Sequence, residues 1–80
     1  MNIKEKLETV IKIIDSRIYG SFIIETSEIP TLCVITIHNV ITFRMNLPKY
    51  NIMMCSADKI AEVILTEYKE HILSHFFKVD

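Results

Sequence analysis

The stretch Leu32 to Met45 reads LCVITIHNVITFRM. Two β-branched runs, Leu32 to Ile37 and Val40 to Met45, flank His38-Asn39. Val, Ile, Thr and Phe favour the pleated, half-buried surface of a strand. A two-residue loop between two such runs predicts a tight antiparallel hairpin, and Asn39 tolerates the left-handed backbone that such turns need. With that loop, Ile37 lies opposite Val40, Thr36 opposite Ile41, Ile35 opposite Thr42 and Val34 opposite Phe43. One face then carries Leu32, Val34, Thr36, Ile41, Phe43 and Met45. The other carries Cys33, Ile35, Ile37, Val40, Thr42 and Arg44. The first is the richer face and is expected to lie under helices.

Working outward, Tyr19 to Thr26 supplies a further strand, with Phe22, Ile23 and Ile24 bounded by Gly20 and by Glu25-Thr26-Ser27-Glu28. Pro30 breaks the chain and holds Ile29 extended. Asn2 to Ser16 precedes these strands as an amphipathic helix. Its Ile3, Leu7, Val10, Ile11 and Ile14 form one stripe at helical spacing, and Asn2 is its N-cap. Asn46 to Cys55 contains Pro48 and reads as a loop with a short extended piece at Ile52 to Met54. From Ala57 the helical period returns through Ile60, Ala61, Ile64, Tyr68, Ile72 and Phe76, with Ser56 as N-cap, and the helix runs to about His75. The expected fold is α+β: helix, three-stranded antiparallel sheet, helix (αβββα), with both helices on one sheet face.

Eighty residues opening on Met1 predict one domain, residues 1–80. Lys and Arg number 9 against 10 Asp and Glu, a net charge of -1, which argues against charge-driven binding to nucleic acid or anionic membrane. Hydrophobic residues make up 50% of the chain and mean hydropathy is +0.30, which excludes disorder. No apolar run reaches the ~18 residues of a membrane span. Residues 1–15 lack the continuous apolar core of a signal peptide, so the reading is a cytoplasmic protein with two free thiols, Cys33 and Cys55.

A small domain buries only about 60% of the surface its unfolded chain exposes, and half of this chain is apolar. Two helices on one face leave Cys33, Ile35, Ile37, Val40, Thr42 and Arg44 on the other. That face is either covered by the Asn46 to Cys55 loop or meets a partner, and the partner surface is the preferred expectation. The partner is a second copy of the chain, forming a homodimer, or a host protein. Met53 and Met54 read first as core plugs; in the alternative reading they form, with Lys49 and Tyr50, the adaptable rim of a binding site.

Catalytic constellations are weak. One glycine cannot build a phosphate-binding loop. Cys33 sits among β-branched neighbours, the setting of an inert thiol, and Cys55 has no identifiable base. No catalytic residue and no cofactor are expected. His71 and His75, spaced i, i+4 with Glu67 one turn earlier, keep a metal site on the last helix as an alternative, although such sites take ligands from more than one element.

The order helix, three strands, helix is also that of the double-stranded RNA-binding domain. That family reads RNA through its first helix, the loop between its first two strands and lysines opening its last helix. Here Ser56-Ala57-Asp58-Lys59 opens the last helix with one lysine, and Glu28 lies in the loop Ser27 to Thr31. The opening Met1-Asn2-Ile3, the immediate amphipathic helix, the size and the residue bias together resemble small phage-encoded anti-CRISPR inhibitors. That resemblance implies a non-catalytic protein that blocks a host protein by binding it, and it carries over no particular residue.

Overall fold

The computed structural model describes residues 2–18 and 22–77. The expected start of the first strand at Tyr19, and Gly20 that bounds its apolar run, lie outside them. The elements are α1 (Ile3–Arg17), β1 (Ile23–Glu28), β2 (Leu32–His38), β3 (Thr42–Pro48), α2 (Lys49–Met54) and α3 (Ala57–Phe76). The strands form one antiparallel sheet in the order β1-β2-β3. The α+β architecture therefore stands, with a short third helix inserted before the last.

Both long helices start on a side-chain cap. The Asn2 Oδ1 accepts from the Glu5 N–H at 2.8 Å, and the Ser56 Oγ accepts from the Lys59 N–H at 3.1 Å. Each cap satisfies an otherwise orphaned donor and contributes about 1 kcal/mol. Helix α1 buries Leu7, Val10 and Ile14, and α3 buries Ile60, Ala61, Ile64, Leu65 and Tyr68. These side chains meet Cys33, Ile35, Ile37, Phe43 and Leu47 in a single core. Helices and apolar sheet residues thus share one side of the sheet.

That side is not the one the hairpin reading selected. The observed register pairs Ile37 with Phe43, Ile35 with Met45 and Cys33 with Leu47. The β2–β3 loop is Asn39-Val40-Ile41, one residue longer than the His38-Asn39 turn expected. The pairing is shifted by three residues, and an odd shift moves every β3 side chain to the opposite face relative to β2. Cys33, Ile35 and Ile37, expected on an open face, are completely buried under the helices. The physical reason lies in β3, where Phe43, Met45 and Leu47 alternate with Thr42, Arg44 and Asn46. Only an even pairing puts both apolar sets on one face.

The segment read as a loop is also corrected. Residues 46–48 extend β3, and Lys49–Met54 form α2 rather than an extended piece. Ile52 is fully buried and anchors α2 to the core. Pro48 suits the junction, since its fixed φ is compatible with a helix entry and its missing N–H would have no helical partner there.

Among the described residues, no helix is long and apolar enough to cross a membrane.

Candidate protein-interaction surface

The ten residues expected at a partner surface fall in four places. Cys33, Ile35 and Ile37 are core and cannot be offered to a partner by the folded chain. Thr42 and Arg44 are exposed on the open sheet face. Val40, 82% exposed, stands at the β2–β3 loop. Lys49, Tyr50, Met53 and Met54 belong to α2, at the other end of β3, about 20 Å away by the rise of a seven-residue strand.

The open sheet face is polar where the sequence reading expected apolar. Cross-strand rows place Glu25, Thr36 and Arg44 side by side, then Ser27, Val34 and Asn46. The Glu25 carboxylate lies 3.2 Å from the His38 Nε2. Glu25, Ser27, Val34, Thr36, Arg44 and Asn46 line a shallow depression of about 540 Å³. Glu25, Ser27, Arg44 and Asn46 are exposed around buried Thr36, and polar side chains facing water on one side of an antiparallel sheet need no partner to explain them.

Helix α2 is different. Tyr50, Met53 and Met54 are spaced i, i+3, i+4 and so share one helical face. That face points away from buried Ile52, and the three side chains are 71%, 66% and 68% exposed. Methionine and tyrosine on one turn give adaptable, polarizable contact area, the chemistry enriched in interface centres. The turn is held firmly. The Lys6 ammonium donates to the Met53 carbonyl at 3.3 Å, the Lys49 N–H donates to the Thr31 carbonyl at 3.1 Å, and the Lys49 Nζ lies 3.1 Å from the Glu28 carboxylate. Lys49 is therefore a structural tie between β1 and α2 and not a free rim cation.

Beside α2, toward α3, runs a small apolar groove of about 110 Å³, lined by Leu47, Ile52, Cys55, Ile60 and Val63 with Asn51 and Lys59 at its border. Sequence reasoning missed this groove because it treated residues 46–55 as a loop. The available signal was the helical spacing of Tyr50, Met53 and Met54 after Pro48.

Two other readings meet the structure here. Among the described residues, no three His, Cys, Asp or Glu side chains gather as a metal-holding group. The His71 ring instead tilts against Phe43 at a centroid distance of 5.4 Å, and His75 makes an edge contact with Phe76 at 5.0 Å. Cys33 is a buried free thiol. Burial pushes its pKa up, with the Glu28 charge adding to the rise and Lys49 opposing it, so the thiolate needed for nucleophilic attack is disfavoured.

No family model, curated protein or solved structure matches this chain. What fold and surface define together is a small α+β domain presenting an apolar helical turn beside an apolar groove.

Proposed function

We propose that this chain is a non-catalytic protein-binding module, and that the outward face of α2 is the docking surface for a protein partner. The observation that carries the reading is the outward face of Tyr50, Met53 and Met54, three large apolar side chains on a turn that the rest of the chain holds in place. Lys6 borders this surface, with its ammonium on the Met53 carbonyl, so the fitting partner presents an apolar plug with an acidic group beside it. Occupying the surface of a host protein is sufficient for an inhibitor and needs no catalytic group. This is the mode of action implied by the resemblance to phage-encoded anti-CRISPR inhibitors.

The test is a paired affinity capture from host lysate with the wild type and with a Met53→Glu/Met54→Glu variant, followed by reconstitution with the purified captured protein. Both substitutions lie on exposed positions, so the circular dichroism spectrum is expected to remain unchanged. A partner that binds the wild type stoichiometrically and loses at least about tenfold in affinity (1.4 kcal/mol) with the variant supports the reading. Captured proteins that bind both forms equally would remove α2 as the docking surface.

A further inference from the structure

The three-stranded sheet has two edges, and they are not equivalent. At the β1–β2 turn, the Ile29 N–H donates to the Leu32 carbonyl at 2.9 Å and the Leu32 N–H donates back to Ile29 at 3.3 Å. This exchanged pair fixes the alternation of the antiparallel ladder. Ile23, Glu25, Ser27 and Ile29 bond to β2, while the N–H and C=O groups of Ile24, Thr26 and Glu28 point outward along an edge that no strand among the described residues covers. The other edge, β3, ends in Pro48, which has no N–H, and passes directly into α2.

The β1 edge is also open on the helix side. Ile24, Thr26 and Glu28 stand on the same sheet face as core Ile37, Ile35 and Cys33, yet Thr26 and Glu28 are exposed. Between them and α1 lies a groove of about 390 Å³ whose α1 wall is apolar Ile3, Leu7 and Ile11 with charged Lys4 and Glu8. Two large apolar residues flank the strand: Ile23 is 63% and Ile29 47% exposed.

We infer that β1 pairs with β1 of a second copy, antiparallel about a two-fold axis at Thr26, joining two sheets into one. The occupant is specified by self-complementarity. With Thr26 opposite Thr26, Ile24 falls opposite Glu28, so all three outward-facing residues of each copy find partners. Glu25 falls opposite Ser27, and exposed Ile23 falls opposite exposed Ile29. No glutamate faces a glutamate. A register shifted by two residues leaves one of the three outward residues unpaired, and in one direction sets Glu25 against Glu25, a destabilising like-charge pair. Glu28 is an inward-facing charge of the kind that discourages edge pairing, but Lys49 already neutralises it at 3.1 Å. The pairing keeps the helices of both copies on one side, where the two α1–β1 grooves open toward each other across the axis. This inference stands on the β1 edge and not on α2, so either reading can fail alone.

The experiment is multi-angle light scattering from low micromolar to near-millimolar chain, on the wild type and on Thr26→Pro. Proline removes an outward N–H that β2 does not use, so the β1–β2 ladder keeps its bonds. The expected result is a concentration-dependent dimer for the wild type. Thr26→Pro is expected to be monomeric at the same concentrations with an unchanged circular dichroism spectrum. A wild type that stays monomeric throughout, or a Thr26→Pro variant that is folded and still dimeric, would overturn the inference. Should Thr26→Pro fail to fold, Thr26→Cys decides. Directly opposed hydrogen-bonded residues have Cα atoms about 5.5 Å apart, within disulfide reach. In a Cys55→Ser background, Thr26→Cys should therefore crosslink to a covalent dimer under mild oxidation, while Asp15→Cys on α1 should not. Equal crosslinking of the two would sink the proposal.

Discussion

Cys33 shows how one position can look functional in sequence and be structural in the fold. It lies on the central strand opposite Leu47 on one side and Glu28 on the other, with no solvent access. Its ionisation is disfavoured by burial first and by the Glu28 charge second. The consequence for stability has a definite sign. The folded-state pKa is raised above the unfolded value, so the stability this thiol carries is fully present below the ordinary thiol pKa of about 8.5. It is lost as pH rises beyond that value, where only the unfolded chain ionises freely. Cys33→Ala cannot ionise in either state, so urea unfolding at pH 7 and pH 10 should find the stability gap between wild type and variant narrower at the higher pH. A gap that is constant with pH would show that Cys33 titrates alike in both states. The same burial holds for Ile35 and Ile37, expected on a partner surface, so a charge at either position strikes the core.

The elements were legible where one period ran long enough to repeat. Helices α1 and α3 each repeat their apolar stripe over several turns and begin on a capping residue, so their existence and starts were readable from residues 2–16 and 56–75. Register is not legible from the turn alone, because local turn chemistry favours the two-residue loop while the burial pattern that decides lies further along β3. Carrying β3 through Leu47 brings out the alternation of Phe43, Met45 and Leu47, and that pattern selects the pairing through burial. Helix α2 is hard to read because six residues hold fewer than two turns, so the spacing of Tyr50, Met53 and Met54 is its one helical signal and never repeats. The observed register makes an element-level prediction that separates it from the expected one. Ile35→Asp places an unpaired carboxylate in the core at a cost of several kcal/mol, a large part of the about 5–15 kcal/mol that holds a domain together. Val34→Asp, one residue away on the open face, should cost no more than about 1 kcal/mol. Thermal melts of the two variants check this, and a cooperative melt for Ile35→Asp with none for Val34→Asp would restore the other register.

At the scale of the whole molecule, the dominant feature is that α3 outruns the sheet. The side-chain amide of Asn39 donates to the Tyr68 hydroxyl at 3.1 Å, which sets the β2–β3 loop against the middle of α3. The Phe43 ring meets Tyr68 edge-on at 5.7 Å just inside that contact. Beyond Tyr68 the helix continues to Phe76, about 12 Å at 1.5 Å per residue. Its apolar stripe emerges from the core there: Ile72 is half-buried, and Leu73, Phe76 and Phe77 are exposed. The molecule is accordingly elongated, 42 × 25 × 19 Å. Exposed apolar residues therefore gather on α2 and on the end of α3, with further ones at Ile23, Ile29 and Val40 at the ends of the strands and at Val63 on α3.

This distribution bears on the resemblance to double-stranded RNA-binding domains, whose order of elements the chain shares. Phosphate binding depends on clustered cations that displace condensed counterions. Here 9 Lys and Arg are set against 10 Asp and Glu. The β1–β2 turn is only Pro30-Thr31 between the bonded Ile29 and Leu32, and α3 opens with Asp58 ahead of Lys59. One cation of this end, Lys49, is already committed to Glu28. Fluorescence anisotropy with labelled duplex RNA and duplex DNA should therefore show no saturable binding at low salt across the ~10⁻⁶–10⁻⁴ M range typical of non-specific binders. Saturable binding that weakens steeply with added salt would mean that α1 and the start of α3 gather phosphate contacts despite the net charge. The protein-binding reading would then give way to a nucleic-acid one.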